Sequence, residues 1–399
     1  MRDVVRGALV TPEGVVDDGA VVVDDGVITW VGDVAEAGAA GVAEAVQAVP
    51  AAPDRYVLPG LVDLHDHGGG GASFPDATSV EVVRTGVAEH RAHGTHHLLG
   101  SLVTASPETL RERVTVLADA ADEGLVAGIH LEGPFLSTTR CGAQDPDLII
   151  DGDADLTREL LALGRGHVVT MTVAPETPNL LGPGGVLEAL VEGGALPSWG
   201  HTDADAVTMR TAAEAAAAAL AARGEDARSR RATVTHLCNG MRPMHHRDPG
   251  PIPTALAMAA RGELVVELVA DGTHLAPELV REVFEMVGAA NIALVTDAMA
   301  ATGMADGVYQ LGTQRVSVAD GVARLADGGS IAGGTAHLLD VVRTTVAHGV
   351  PLADAVLSAS LVPAEVIGHR GVGRAFGALR PGYQADLLVT DRELRPVQV

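Results

Sequence analysis

The chain has 399 residues, of which 47% are hydrophobic and 20% are charged, and its formal net charge is −25 at pH 7. This length suits one large domain with a smaller accessory domain, and the composition is that of a globular protein with a substantial core. The negative charge excludes nucleic acid and anionic membranes as partners, because both require a basic surface. No apolar run reaches the ~18 residues of a membrane span. With only two cysteines and no signal-peptide pattern at its start, we expect a cytoplasmic protein.

Both ends of the chain have the pattern of short β-strands. Residues 1–50 alternate Val-rich runs with turns such as Asp24-Asp25-Gly26, which is typical of β-hairpins. The segment from Gly371 to Asp391 has the same texture. We therefore expect residues 1–56 and 368–399 to form one small β-sandwich domain beside a larger domain.

Between these ends, eight short apolar runs alternate with stretches of helical spacing. The runs are Val57–His65, His96–Val103, Val126–Glu132, Val168–Ala174, Leu196–His201, Thr233–His236, Leu264–Ala270 and Asn291–Asp297. The clearest helix candidates are Ser79–Ala92, Pro107–Glu123, Asp205–Arg223, Pro277–Val287 and about Thr335–His348. Alternation of strands and helices predicts a parallel sheet, and eight units predict an α/β protein with a (β/α)8 TIM barrel over residues 57–367. A β-hairpin insert near residues 305–329 would follow the eighth strand.

Ionisable side chains fall at the carboxyl ends of the predicted strands, where a barrel gathers its catalytic groups. These residues are His65, His67, Glu132, His201, His236 and Asp297. Side chains at positions i and i+2 of a strand share a face, so that His65 and His67 could bind one ion while Asp66 points away. Imidazole and carboxylate ligands suit Zn²⁺ best, and Fe, Mn or Co also fit. We expect one or two divalent ions per subunit.

Each of these residues also has a purely structural interpretation. His201 and His236 could be hydrogen-bonded core histidines, and Asp297 could cap a helix. His90 and His93 are expected on the exposed face of a helix and receive no role. Cys141 and Cys238 have no adjacent base, which favours small buried thiols over nucleophiles.

Five motifs in order resemble one known family. They are Leu58-Pro59-Gly60-Leu61-Val62-Asp63-Leu64-His65-Asp66-His67-Gly68, His130-Leu131-Glu132-Gly133-Pro134-Phe135, Gly200-His201-Thr202, Thr235-His236-Leu237-Cys238-Asn239-Gly240-Met241 and Thr296-Asp297-Ala298-Met299. Together they are similar to the N-acetylglucosamine-6-phosphate deacetylases of the amidohydrolase superfamily. The resemblance implies that Glu132, His201 and His236 bind one ion, that His65 and His67 hold a second, and that Asp297 is the catalytic carboxylate. It also implies hydrolysis of the acetamide of N-acetyl-D-glucosamine 6-phosphate, a step of amino-sugar catabolism.

The same resemblance places Asn239, Arg247 and His274 at substrate-contacting positions. Arg247 would reach the phosphate in the site of a neighbouring subunit, which implies a homodimer. Gln144 stands where many members of the family have a histidine that polarises the substrate carbonyl, and Gly240 replaces the usual alanine. Cys238 replaces an aromatic residue, and these three differences leave open a different N-acetylated hexosamine phosphate as the substrate.

Two further functions compete with this interpretation. The first is another amide hydrolase of the superfamily, such as a cyclic-amide hydrolase. The cyclic-amide hydrolases, however, typically place a carboxylated lysine at the fourth strand. Residues 170–176 of this chain contain no lysine, which favours a site built around Glu132. A catalytically silent sugar-phosphate sensor is the other, and the intact set of six ligand-type residues argues against it.

Overall fold

The computed structural model describes residues 2–327, 329–368 and 374–397, and its centre is a sheet of eight parallel strands. These strands are Leu61–Asp66, Thr95–Leu102, Gly128–Glu132, Val168–Val173, Leu196–Trp199, Ala232–Val234, Leu264–Leu268 and Ile292–Leu294. Consecutive strands pair in parallel throughout. The predicted eight-stranded α/β barrel is therefore confirmed, with each strand within a few residues of its expected position.

The first and eighth barrel strands meet through a short seam rather than a ladder. A parallel bridge joins Asp66 to Ala298. The Asp297 amide donates to the His65 carbonyl at 2.9 Å, and the His67 amide donates to the Ala298 carbonyl at 2.7 Å. These bonds close the barrel at the level of three predicted site residues.

Helices surround the barrel, and their sequences explain where they begin and which face is buried. The barrel helices are Val80–Ala92, Pro107–Asp122, Ala154–Leu163, Val186–Glu192, Ala206–Arg223, Ile252–Ala259, Pro277–Val287, Leu338–Ala347, Leu352–Ser358 and Leu361–Ile367. Ser106 and Asp205 accept from backbone amides in the first turns of their helices, which satisfies donors that a helix leaves free. Val280, Val283, Phe284 and Val287 form a buried stripe at helical spacing.

The small domain is one five-stranded sheet with strands from both ends of the chain. Its strands are Arg2–Thr11, Gly14–Asp24, Val27–Asp33, Arg55–Pro59 and Leu387–Asp391. Its faces are covered by the irregular segment around Leu379 and by the short helical segments near Ala37 and Val46. The expected small β domain built from both ends of the chain is therefore confirmed, and in the described residues its strands form one sheet with a covering segment on each face.

Two predicted segments differ from the structure. The continuous strand over Val57–His65 is wrong, because Arg55–Pro59 belongs to the small sheet and Leu61–Asp66 to the barrel. A Cβ at Gly60, between them, would lie 2.5 Å from the His96 ring. The strand Arg55–Pro59 spans the expected boundary at residues 56 and 57, and the division into two domains stays a prediction. In the predicted tail, residues 369–373 and 398–399 lie outside the described part of the chain.

The insert after the eighth strand is a three-stranded antiparallel sheet rather than one hairpin. It consists of Gly307–Leu311, Gln314–Ala319 and Val322–Leu325, and residue 328 is outside the described residues. Val316 and Leu311 pack against Met299 and Val103 of the barrel loops, so that the insert covers the carboxyl end of the barrel. Among the helices described, none combines the length and apolarity needed to cross a membrane.

Candidate metal centre and active site

The six ionisable residues predicted at the strand ends come together at the carboxyl end of the barrel, where five of them line one cavity and the sixth, His65, is buried in contact with His67. The cavity has a volume of ≈ 300 Å³, and its lining includes His67, Glu132, His201, His236 and Asp297. Leu311 of the insert forms part of its wall. The insert therefore turns an open barrel end into a pocket of the size that small-molecule sites have, about 300–1,000 Å³.

Glu132 lies between two pairs of histidines. With the first pair, His201 and His236, it forms the first group of ligands. Glu132 Oε1 is 3.0 Å from His201 Nε2 and 2.9 Å from His236 Nε2, and the two Nε2 atoms are 3.1 Å apart. Three ligand atoms at these separations fit the coordination sphere of one ion such as Zn²⁺. The His201 Nδ1 atom is 2.8 Å from the Arg140 carbonyl, and donation there leaves Nε2 as the ligand.

The second group consists of His65 and His67 on the first barrel strand. Their Nε2 atoms are 3.0 Å apart, and His67 Nε2 is 3.2 Å from Glu132 Oε2. His65 Nδ1 faces Glu267 Oε2 at 3.3 Å, and His67 Nδ1 faces the Ser101 carbonyl at 3.2 Å. Donation from both Nδ1 atoms directs two unprotonated nitrogens at one point, where a cation relieves their repulsion. The donors of both groups therefore fit a divalent ion, and Glu132 could bridge two.

The electrostatic field of the centre is negative. Burial lowers the pKa of His67, but the Asp297 and Glu132 carboxylates outweigh this effect and raise the pKa to about 9. Burial alone would raise the pKa of Asp297, whereas His65 and His67 bring it well below its usual value. A field that draws a proton onto buried imidazoles also favours a divalent cation in their place.

Three of these residues have a left-handed backbone conformation that is rare for side chains other than glycine. The φ angles are +46° at His201, +28° at His236 and +49° at Asp297. Each residue lies two or three positions beyond the end of its strand, where the chain turns over the barrel mouth. Such conformations cost about 1–3 kcal/mol each and concentrate at functional sites.

Four of the five predicted substrate residues line the cavity: Gln144, Asn239, Gly240 and His274. Gln144 Nε2 donates to Glu132 Oε2 at 2.7 Å, and Gln144 Oε1 accepts from the Thr104 amide at 2.7 Å, which fixes the orientation of the side-chain amide. A Cβ at Gly240 would lie 2.8 Å from His201 Nδ1, so that glycine leaves room for this ring.

His274 and Arg247 have different surroundings. His274 Nδ1 is 2.8 Å from Asp271 Oδ2. Burial lowers the pKa of His274, but Asp271 outweighs this effect and the pKa is raised. Arg247 does not line the cavity; it is exposed on a loop, with Nη1 2.8 Å from His246 Nε2. This chain alone therefore does not bring Arg247 to the centre.

Sequence reasoning missed a buried polar layer beneath the metal ligands. Glu267, 1% exposed, accepts with one oxygen from His65 Nδ1 and from the His236 amide. His130 lies between Ser101 and Thr172 with its ring 4.5 Å from the His65 ring, and burial lowers its pKa well below the usual range. A lone carboxylate in the apolar run Leu264–Ala270 was the available signal, because a buried charge requires partners.

The expectation of an exposed His90 is wrong. Its side chain is fully buried, and its Nε2 atom is 3.1 Å from both the Gly68 carbonyl and Asp66 Oδ2. Asp66 therefore points away from the metal ligands, in agreement with strand alternation. Cys141 and Cys238 are free thiols, and burial raises the pKa of Cys238 to about 11.

Comparison with known proteins agrees with this geometry. Residues 56–398 match the amidohydrolase family. The chain is 34% identical to the N-acetylglucosamine-6-phosphate deacetylase of Bacillus subtilis (strain 168), over 80% of this chain and 76% of that one. It is 30% identical to the N-acetylgalactosamine-6-phosphate deacetylase of Escherichia coli O157:H7, over 98% and 95% of the two chains. The solved N-acetyl-D-glucosamine-6-phosphate deacetylase of Mycobacterium smegmatis is 38% identical with a TM-score of 0.84, over 99% and 97% of the chains. The chain therefore belongs to the amidohydrolase family, among its N-acetylhexosamine-6-phosphate deacetylases.

Proposed function

We propose that this chain hydrolyses the acetamide of N-acetyl-D-glucosamine 6-phosphate to glucosamine 6-phosphate and acetate. The observation that carries the proposal is the convergence of Glu132, four histidines and Asp297 on one cavity. Relatives that match most of the chain bear the name of this activity. The proposal thus combines a donor set suited to metal-assisted amide hydrolysis with a family in which that reaction is named.

The metal ligands in this proposal are His65, His67, Glu132, His201 and His236. One or two divalent ions fit this set, Zn²⁺ first by its preference for imidazole and carboxylate, with Fe, Mn or Co as alternatives. When bound, the ion supplies Lewis acidity, which makes water nucleophilic at neutral pH and polarises a carbonyl.

Asp297 is the proposed catalytic residue. As a carboxylate, Asp297 accepts the proton of the attacking water while the water oxygen bonds to the acetyl carbon. Asp297 then returns this proton to the nitrogen as the carbon–nitrogen bond breaks, which releases a neutral amine and acetic acid, and the acid loses its proton to solvent as acetate. The position of Asp297 supports this role, because the residue lines the cavity and its Oδ1 atom lies 3.3 Å from His65 Nε2 in the second group.

The remaining residues position the sugar. One N–H of Gln144 is bonded to Glu132, and we propose that the second contacts the substrate carbonyl together with His274 Nε2. Asn239 and Gly240 shape the sugar pocket. Arg247 is proposed to bind the phosphate of a substrate in the neighbouring subunit of a homodimer, since its guanidinium suits phosphate and it does not line its own cavity. A cytoplasmic location is part of the proposal, supported by two free cysteines.

N-acetyl-D-galactosamine 6-phosphate is a second candidate substrate. The E. coli O157:H7 relative that bears this name matches nearly the whole chain at 30% identity. The two sugars differ only in the configuration at one hydroxyl-bearing carbon. The shape left by Gly240 and the fixed amide of Gln144 would then decide between them.

Acetate release measures the proposal directly. Metal-stripped protein is reloaded with one type of ion at a time and given N-acetylglucosamine, N-acetylgalactosamine and their 6-phosphates. We expect turnover of a 6-phosphate, no turnover after chelation, and loss of nearly all turnover in Asp297→Asn with metal content retained. Asp155→Asn, at a side chain that is 98% exposed, is the matched control. No acetate from either 6-phosphate, or near-normal turnover in Asp297→Asn, would reject the proposal.

A further inference from the structure

A second set of histidine and carboxylate side chains lies outside the catalytic cavity. Glu89 and His93 occupy one face of the helix Val80–Ala92 and the residue that ends it, and His337 precedes the helix Leu338–Ala347. Glu89 Oε1 is 2.8 Å from His337 Nε2 and 3.3 Å from His93 Nδ1. All three ligand atoms lie within 4.8 Å of one another, which is the spacing of donors around one first-row metal ion. We name these three residues the seam cluster.

From this arrangement we infer that the seam cluster is a second divalent-metal site, selective for ions that accept imidazole ligands, such as Zn²⁺. The inference is independent of the deacetylase proposal, because none of its three ligands lines the catalytic cavity. Two imidazoles and one carboxylate are the ligand set of many zinc sites, and a fourth position remains for water.

The surroundings of His337 match those of a metal-binding histidine. Its Nδ1 atom is 3.3 Å from Asp340 Oδ2, while the other oxygen of Asp340 accepts from Arg343 Nη1 at 2.6 Å. Donation from Nδ1 to a carboxylate directs Nε2 outward as the ligand, and such carboxylate–histidine pairs commonly support metals. The His337 side chain is 11% exposed, so that its orientation is held by packing as well.

The carboxylate of Glu89 occupies a space that glycine provides. A Cβ at Gly303 would lie 2.1 Å from Glu89 Oε1, and a Cβ at Gly70 would lie 3.2 Å from Glu89 Cβ. These glycines belong to the loops that follow His67 and Asp297. The seam cluster therefore contacts both loops that leave the first and eighth strands.

The position suggests what the ion does. The first and eighth strands are joined by one isolated bridge, Asp66 to Ala298, and not by a ladder. An ion bound by Glu89, His93 and His337 would tie together the helices that follow these same two strands. The site would then strengthen the barrel where its sheet is weakest, and would hold the loops that lead into the catalytic centre.

Coordination requires the His93 ring to rotate, because its Nδ1 atom donates to the Glu89 backbone carbonyl at 2.8 Å and has no lone pair for an ion in this position. The rings of His93 and His337 are stacked, with centroids 3.6 Å apart and planes 15° apart, and parallel rings do not direct two lone pairs at one point. The His93 side chain is 44% exposed, which leaves space for its ring to rotate. A proton competes with an ion for the lone pair of each imidazole, so that pH 8 is the suitable condition for measuring binding.

The test counts Zn²⁺ ions per chain. Metal-stripped protein is dialysed to equilibrium against low-micromolar Zn²⁺ at pH 8, and bound zinc is measured with a chromogenic chelator. We expect His93→Ala and Glu89→Gln each to bind one ion fewer per chain than the unaltered protein, with acetate release retained. His348→Ala, which removes an exposed histidine at the far end of the helix Leu338–Ala347, is the matched control and should bind as many ions as the unaltered protein.

Zinc should also raise the thermal midpoint more in the unaltered protein than in His93→Ala, because only the former gains the link across the seam. Equal zinc content in the unaltered protein, His93→Ala and Glu89→Gln would overturn the inference and leave the cluster as an ion pair. Retained turnover in these variants shows that the catalytic centre is loaded, so that loss of the seam ion is distinguishable from failure of the deacetylase proposal.

Discussion

Replacement of Glu267 tests whether the carboxylate beneath the metal ligands controls how tightly an ion is held. The Glu267 side chain is 1% exposed, and its Oε2 atom accepts from His65 Nδ1 at 3.3 Å and from the His236 amide at 3.2 Å. One oxygen thus contacts a ligand of each metal group. It orients the His65 ring and fixes the turn that carries His236.

The expected size of the effect follows from these two bonds. A hydrogen bond to a charged group contributes about 1.5–3 kcal/mol, and about 1.4 kcal/mol is a factor of ten in affinity. Glu267→Gln keeps an acceptor oxygen and loses the charge, so that we expect Zn²⁺ affinity to fall about 10-fold. Glu267→Leu loses both acceptors at similar volume, and we expect a fall of about 100-fold, the upper end for residues that support metal ligands.

The assay is competition for Zn²⁺ between the metal-free protein and a chromophoric chelator of known affinity. Thr233→Val is the matched control, since Thr233 is buried on a neighbouring barrel strand and its hydroxyl has no hydrogen-bond partner among the described residues. This control should bind zinc as the unaltered protein does. If Glu267→Leu also binds zinc that tightly, the carboxylate does not support the ligands and the reasoning fails.

Three further changes test separate features of the structure. Gln144→Leu removes the 2.7 Å bond to Glu132 Oε2, and we expect kcat/KM for acetate release to fall about 10-fold. Burial raises the pKa of Asp386, but the hydrogen bond from His97 outweighs burial and lowers it. The resulting stabilisation is present at neutral pH and is lost as pH falls through the lowered pKa, so that Asp386→Asn should cost about 1.5 kcal/mol at pH 7 and less near pH 3, by urea unfolding. Burial raises the pKa of Cys238 to about 11, and we expect mass spectrometry to find it unmodified by iodoacetamide at pH 7.

Each of these three predictions would be contradicted by a specific result. Full activity in Gln144→Leu would mean that Glu132 needs no help from the amide, and Gln144→Glu is a useful contrast because it places a second negative charge at that oxygen. A destabilisation by Asp386→Asn that does not change with pH would place the effect in packing and not in charge. Rapid alkylation of Cys238 in the native protein would show that its thiol ionises more readily than a raised pKa allows.

Much of the barrel was predictable because each strand carries its own signal. Runs such as Val168–Val173 contain only Val, Met and Thr and are buried throughout, as in a strand covered on both faces, and the helix Pro277–Val287 was located to the residue by its proline and its period. The passage from the small sheet to the barrel was not predictable. Val57–His65 is mostly apolar on both sides of Gly60, and the close approach of the His96 ring to Gly60 becomes visible only in the folded chain.

For the site, the sequence identified residues that project from strand ends but not those that support them. His65 and His67 are separated by one residue, which is itself the geometry of a shared face. Glu267 and His130 lie inside strands and give no such pattern. Their role appears only when the closed barrel brings the seventh and third strands behind the first.

The backbone conformation of three site residues explains why they lie just beyond strand ends. It also explains why the orientation of their side chains could not be predicted from the sequence. His201, His236 and Asp297 each have φ between +28° and +49°, and although His and Asp adopt this region more often than most residues, a sequence pattern does not show which of them will do so. The conformation turns each side chain inward directly after its strand. Together the three residues cost on the order of 3–9 kcal/mol, a large fraction of the net stability of a domain. Glycine would relieve this strain at each position but would delete the ligand or the base, so that the chain retains a strained backbone where the chemistry requires it.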